Sequence, residues 1–73
     1  MNYYQRLKEL RKENQKTQTE IAKILEMDQS HYAKYENGIY SMPIEKYIKL
    51  AIYYNISLDY ITGLIETPDK LER

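Results

Sequence analysis

Two helix-start signals stand so close together that few folds remain open to the chain. Thr17-Gln18-Thr19-Glu20 has the pattern of a capping box. In such a box the Thr17 hydroxyl accepts from the Glu20 amide while the Glu20 carboxylate reaches back to the Thr17 amide. It predicts a helix from Gln18 to about Leu25. Asp28 is the next N-cap candidate and opens a helix from Gln29 to about Glu36. Only Glu26-Met27-Asp28 separates the two. Short helices joined this tightly must cross steeply and share a small core. The crossing needs a small residue where the backbones approach, and Ala22 supplies it. It also needs apolar side chains at Ile21, Leu25, Met27, Tyr32 and Tyr35, and all five positions are filled.

The rest of the chain reads as helix too. Apolar residues recur at spacings of three and four, and no strand-like alternation interrupts them. A first helix is expected over Tyr3 to Glu13, with Tyr3, Leu7 and Leu10 on its inner stripe. Asn37-Gly38 tolerates the left-handed conformation that ends a helix. Pro43 suits a first helical position. It opens a fourth helix whose inward stripe is Ile44, Tyr47, Ile48, Ala51 and Tyr54, with Leu50 flanking. Ser57 caps a short fifth helix through Leu58 and Ile61, and Gly63 stops it. The expected fold class is all-α, a compact five-helix domain over residues 1–65 followed by a polar C-terminal tail over 66–73.

Composition bounds what such a domain can do. At 73 residues a chain buries only about 60% of its unfolded surface, so it needs efficient packing or a second subunit. There is no Cys, and His31 is the single histidine, which excludes a disulfide framework, a thiolate metal site and a zinc site built on His alone. No glycine-rich phosphate loop and no supported carboxylate pair is present, so no enzyme activity, cofactor or small-molecule ligand is expected. No apolar run approaches the ~20 residues of a membrane span, and no signal peptide opens the chain. No membrane role is expected, and the setting is read as cytoplasmic. Eleven Lys and Arg balance eleven Asp and Glu, so the basic footprint usual for nucleic-acid binding is absent. Nine tyrosines, with no Phe or Trp, predict a core whose rings lie inside and whose hydroxyls reach its edge.

Helical spacing turns Tyr32 and Tyr35 inward and brings Ser30, Lys34 and Asn37 out together. The stretch TQTEIAKILEMDQSHYAKYENG has its cap, turn, core and terminal Glu36-Asn37-Gly38 in register. It resembles the phage repressor/Cro-type helix-turn-helix of the XRE family, whose members read roughly T-Q-x-x-L-A-x-x-L-G-V-S-x-x-x-I-S-x-x-E-N-G. Downstream, IEKYIKLAIYYNISLDYITGL resembles the fourth and fifth helices of that family, so the likeness runs over about residues 5 to 64.

The resemblance implies a lambda-repressor-like domain whose second and third helices form the helix-turn-helix. It further implies a sequence-specific transcriptional regulator, a repressor of bacterial or phage type, binding double-stranded DNA as a homodimer. Residue by residue it implies that Gln29, Ser30, His31 and Lys34 contact bases. Gln18, Lys16, Asn37, Gly38, Tyr40 and Ser41 are implied at the DNA backbone. Arg11 and Glu36 occupy positions that pair in relatives. The chemistry suits these roles: Gln can pair with adenine through two bonds, Ser with either edge type, and Lys with guanine acceptors. Three departures stand out. Glu26 replaces the usual turn Gly, Gln15-Lys16 replaces the Gly-Leu before the second helix, and Ile39-Tyr40-Ser41-Met42 replaces a loop that often carries Lys or Arg. Modest affinity with a shallow salt dependence is therefore expected. A rival of another class is a protein-interaction module or antitoxin-like adaptor on the same fold, with a protein partner in place of DNA. Tyr53, Tyr54, Tyr60, Leu64 and Ile65 read either as core edge or as a dimer surface.

Overall fold

The computed structural model describes residues 2–68. The side chain of Tyr3 and residues 69–73 lie outside this set, and with them the inward place expected for Tyr3 and most of the polar 66–73 segment. Among the described residues five α-helices run in order: α1 (Tyr3–Glu13), α2 (Gln18–Ile24), α3 (Gln29–Glu36), α4 (Ile44–Tyr54) and α5 (Leu58–Ile61). Among the described residues none of these helices is long and apolar enough to cross a membrane.

Local chemistry sets most of the helix boundaries. Asn2 caps α1, accepting from the Gln5 amide at 2.9 Å while Gln5 returns a bond at 3.4 Å. Thr17 caps α2 in the same reciprocal way with Glu20, at 3.1 and 3.0 Å. Ser57 caps α5 by accepting from the Tyr60 amide at 3.2 Å. Three non-glycine residues, Gln15, Glu26 and Asn55, hold φ near 57° where α1, α2 and α4 end.

One boundary expectation holds in position only, and one needs correction. Asp28 occupies the N-cap of α3 but makes no side-chain cap bond. Pro43 is the N-cap of α4 rather than its first helical residue. Its extended ψ lets its carbonyl accept from the Lys46 and Tyr47 amides, at 3.0 and 3.3 Å.

The core gathers Leu7 and Leu10 of α1, Ile21 and Ala22 of α2 with Leu25 just after it, Tyr32 and Tyr35 of α3, and Tyr47, Leu50 and Ala51 of α4. Met42, Tyr60 and Ile61 complete it. Leu7, Ile21, Leu25, Leu50 and Ile61 are fully buried; each contributes about 1.5–3 kcal/mol relative to exposure. The stripe expected on α4 is displaced. Ile44 and Ile48 are 55% and 43% exposed, whereas Leu50 is fully buried. The face actually used runs through Tyr47, Leu50, Ala51 and Tyr54, spaced at three, four and seven. Ile44, Ile48 and Ile52 form a separate row about 100° away.

Two cations tie the elements together. Arg6 is buried and donates to the carbonyls of Tyr60 at 2.8 Å and Ile65 at 3.3 Å, and to the Glu66 carboxylate at 3.1 Å. Its guanidinium also stacks 4.0 Å above the Tyr60 ring, which is why Tyr60 lies inside rather than on an outer surface. Tyr54 and Ile65 are half-buried against the core, leaving Tyr53 and Leu64 as the exposed members of that expected group. Lys46 of α4 donates to the Leu25 carbonyl at 2.7 Å, closing the C-terminus of α2.

Candidate nucleic-acid interface

An eight-residue helix has little stability of its own, so α3 is held by what it buries. Tyr32 and Tyr35 insert into the core, and the opposite flank is thereby turned to solvent. Gln29, Ser30, His31 and Lys34 are exposed on that flank. The first-turn amides at the Gln29 end lack intrahelical partners, as at any helix start.

Behind this surface runs a chain of hydrogen bonds. Arg11 grips the Glu36 carboxylate through two bonds, Nε at 2.8 Å and Nη2 at 3.2 Å, and its Nη1 donates to the Lys16 carbonyl at 2.9 Å. Gln18 Nε2 donates to the same carboxylate at 3.2 Å. Gln29 Nε2 then donates to Gln18 Oε1 at 2.6 Å. The Glu36 side chain is fully buried. Burial alone would raise its pKa, but the bonds from Arg11, the adjacent Tyr32 hydroxyl and the bond from Gln18 outweigh it and hold the carboxyl below its ordinary value. The Glu36 bond raises the Arg11 guanidinium in return. Burial, followed by the Glu36 charge, pushes the Tyr32 hydroxyl upward; it lies near that carboxylate without reaching hydrogen-bond geometry.

The direction of this chain is determined chemically. An ionised carboxylate only accepts, so Gln18 must turn its amide nitrogen toward Glu36 and its oxygen toward Gln29. Gln29 must therefore donate to Gln18. Its own oxygen and second N–H remain as an acceptor beside a donor, the pattern that matches adenine N6 and N7.

The residues singled out for backbone contacts fall into two groups. At the start of α2, Gln18 is half-buried in the chain just described, and the Lys16 ammonium lies 3.9 Å from Glu20. At the far end of α3, Asn37, Gly38, Tyr40 and Ser41 are exposed. Gly38 has φ +75°, and a Cβ there would come within 3.0 Å of the Tyr4 ring. Its place thus requires both glycine's backbone freedom and its lack of a side chain. Tyr4 was not apparent as a supporting residue from sequence, because nothing local joins positions 4 and 38. A groove beside Asn37 is lined by Tyr4, Lys8 and Lys12 together with Glu9 and Glu36. The spacing of those lysines signals a shared helix face, though not what lies next to it.

Comparison with known proteins points the same way. A family model described as helix-turn-helix matches residues 7–61. The chain is 40% identical over 72 residues to the uncharacterised HTH-type transcriptional regulator YobD of Bacillus subtilis (strain 168), covering 97% of this chain and 64% of that protein. It is also similar to a crystal structure of a transcriptional regulator from Listeria innocua, at 30% identity and a TM-score of 0.83. That match covers 90% of this chain and 62% of the other. The chain thus spans a little under two-thirds of the length of each of these relatives.

Proposed function

The chain belongs to the XRE-type helix-turn-helix family, and from that membership we propose that it is a sequence-specific DNA-binding transcriptional regulator. In this reading α3 enters the major groove as part of a homodimer, and binding represses by occluding polymerase. The observation that carries it is the outward grouping of Gln29, Ser30, His31 and Lys34 opposite the buried Tyr32 and Tyr35.

Gln29 reads adenine, Lys34 reads guanine acceptors, and Ser30 and His31 complete the base-facing set. Lys16, Gln18, Asn37, Gly38, Tyr40 and Ser41 flank it toward the sugar-phosphate backbone. Residues 1–65 form the DNA-binding unit and 66–73 a polar extension. The protein acts in the cytoplasm and needs no cofactor. A two-fold dimer would place its half-sites about 34–36 Å apart. In-vitro selection from random duplex, with the footprint measured alongside, tests the proposal. A two-fold symmetric consensus with half-sites one helical turn apart is expected, and a pool that never enriches would overturn it.

A second reading, a protein-interaction module, is favoured by the exposed row Ile44, Ile48 and Ile52 on a chain of zero net charge. Gln29→Ala with Lys34→Ala separates the two. Duplex binding is lost under the first reading, while under the second a partner is retained and duplex binding is absent from the start.

A further inference from the structure

Tyr40 leaves the loop after α3 and turns back onto that helix. Its amide donates to the Lys34 carbonyl at 3.4 Å. Its ring meets the His31 ring edge-on, with centroids 5.9 Å apart, and the Lys34 ammonium sits 5.4 Å from the Tyr40 centroid. His31 in turn lies 5.1 Å from the buried ring of Tyr35. Tyr35, His31, Tyr40 and Lys34 therefore make one continuous row from the core to the exposed flank of α3.

We propose that Tyr40 is a positioning residue for base reading, acting through its ring rather than its hydroxyl. An isolated lysine on an open helix face samples many rotamers and can swing toward any phosphate within reach. A ring within about 6 Å attracts the ammonium to its face. Here the ring is itself braced by His31, so Lys34 is kept beside the residues that turn toward the groove. It then meets guanine N7 and O6 in preference to flanking phosphates. This rests on the reading that α3 enters the major groove.

The test uses the full chain and the duplex obtained by selection. Affinities are measured for wild type, Tyr40→Phe, Tyr40→Trp, Tyr40→Leu, Lys34→Ala and the double variant Tyr40→Leu with Lys34→Ala. Each is measured on that duplex and on versions with guanines replaced singly by 7-deazaguanine, which lacks the N7 acceptor. Wild type should lose about tenfold at one guanine per half-site. Tyr40→Phe and Tyr40→Trp keep a ring and should keep that loss. Tyr40→Leu and Lys34→Ala should bind the unmodified duplex about five- to tenfold more weakly and become indifferent to 7-deazaguanine, with losses that do not add in the double variant. If Tyr40→Leu does not fold, Tyr40→Gln, which also lacks a ring, takes its place. A ringless Tyr40 variant that keeps the guanine effect overturns the proposal, as does Tyr40→Phe or Tyr40→Trp losing it, or a wild type that binds tightly with no sensitive guanine. Failure of selection itself would instead overturn the DNA-binding reading.

Discussion

Gln29 donates a 2.6 Å hydrogen bond to Gln18, joining the first residue of α3 to the first residue of α2. Because Gln18 is itself turned by Glu36, the two amides are oriented before any ligand arrives. Such preorganisation lowers the entropy lost when a contact forms.

Gln18→Ala should therefore leave the fold intact and blunt discrimination at one base. Gln29 would remain but rotate freely. The expected loss is about 1 kcal/mol of preference for adenine at its position, read as the ratio of affinities for the selected duplex and its single-base variant. An unchanged ratio would mean that Gln29 orients itself.

The Arg11–Glu36 pair supports a prediction about stability and pH. Removing Arg11 strands the fully buried Glu36 charge in the interior, so Arg11→Met alone should lose about 3–5 kcal/mol. A chain of this size has total stability of only about 4–11 kcal/mol, so the single variant should be largely unfolded in mild denaturant. Arg11→Met with Glu36→Leu should lie within about 1 kcal/mol of wild type. The Glu36 carboxyl is held below its ordinary value in the folded state. Its contribution is therefore fully present above the unfolded value of ~4.3 and is lost as pH falls through the lower folded value. Urea titrations at pH 7 and pH 3 should show an acid-induced loss in wild type that is smaller in the double variant.

Backbone conformation supports a paired prediction. Glu26 holds φ 57° without being glycine, a conformation that strains a side chain by roughly 1–2 kcal/mol. Its ion pair with Lys49, 3.5 Å long and exposed, is worth little. Glu26→Gly should thus raise stability by about 0.5–1 kcal/mol after the added freedom of the unfolded chain is counted. Gly38→Ala should lower it by about 1–2 kcal/mol, since φ +75° is unfavourable and the new methyl presses on Tyr4. Thermal unfolding should move the two variants in opposite directions.

The face around α3 carries few cations, and Lys16 is shared with Glu20. About two to four phosphates should be neutralised per subunit, giving a slope of log K against log salt of roughly −2 to −4. A steeper slope would bring Lys8 and Lys12 of α1 into the interface.

What could be read from sequence was whatever depends on neighbours along the chain. The Thr17–Glu20 and Ser57 caps and the inward tyrosines of α3 all follow from bonds or spacings within a few residues. Contacts across the fold were opaque to spacing, and the Arg11–Glu36 pair was legible only through the family resemblance. Arginine is seldom buried, and the acceptors of Arg6 come from residues 60, 65 and 66. The rotation of α4 was misjudged for a different reason. Ile44, Ile48, Ile52 and Tyr53 make that helix apolar nearly all round, so periodicity alone does not choose its inner face. On the candidate interface, the outward residues of α3 were readable from spacing. The bond from Gln29 to Gln18 and the return of Tyr40 onto His31 were not, because both depend on how separate segments meet.

Arg6 binds the start of the fold to its close, since one guanidinium in α1 satisfies carbonyls after and within α5. Neither end can fray alone without leaving that buried charge unsatisfied. The slowest-exchanging amides of α1 and those of α5 should consequently open as one cooperative unit, and Arg6→Met should split them into two.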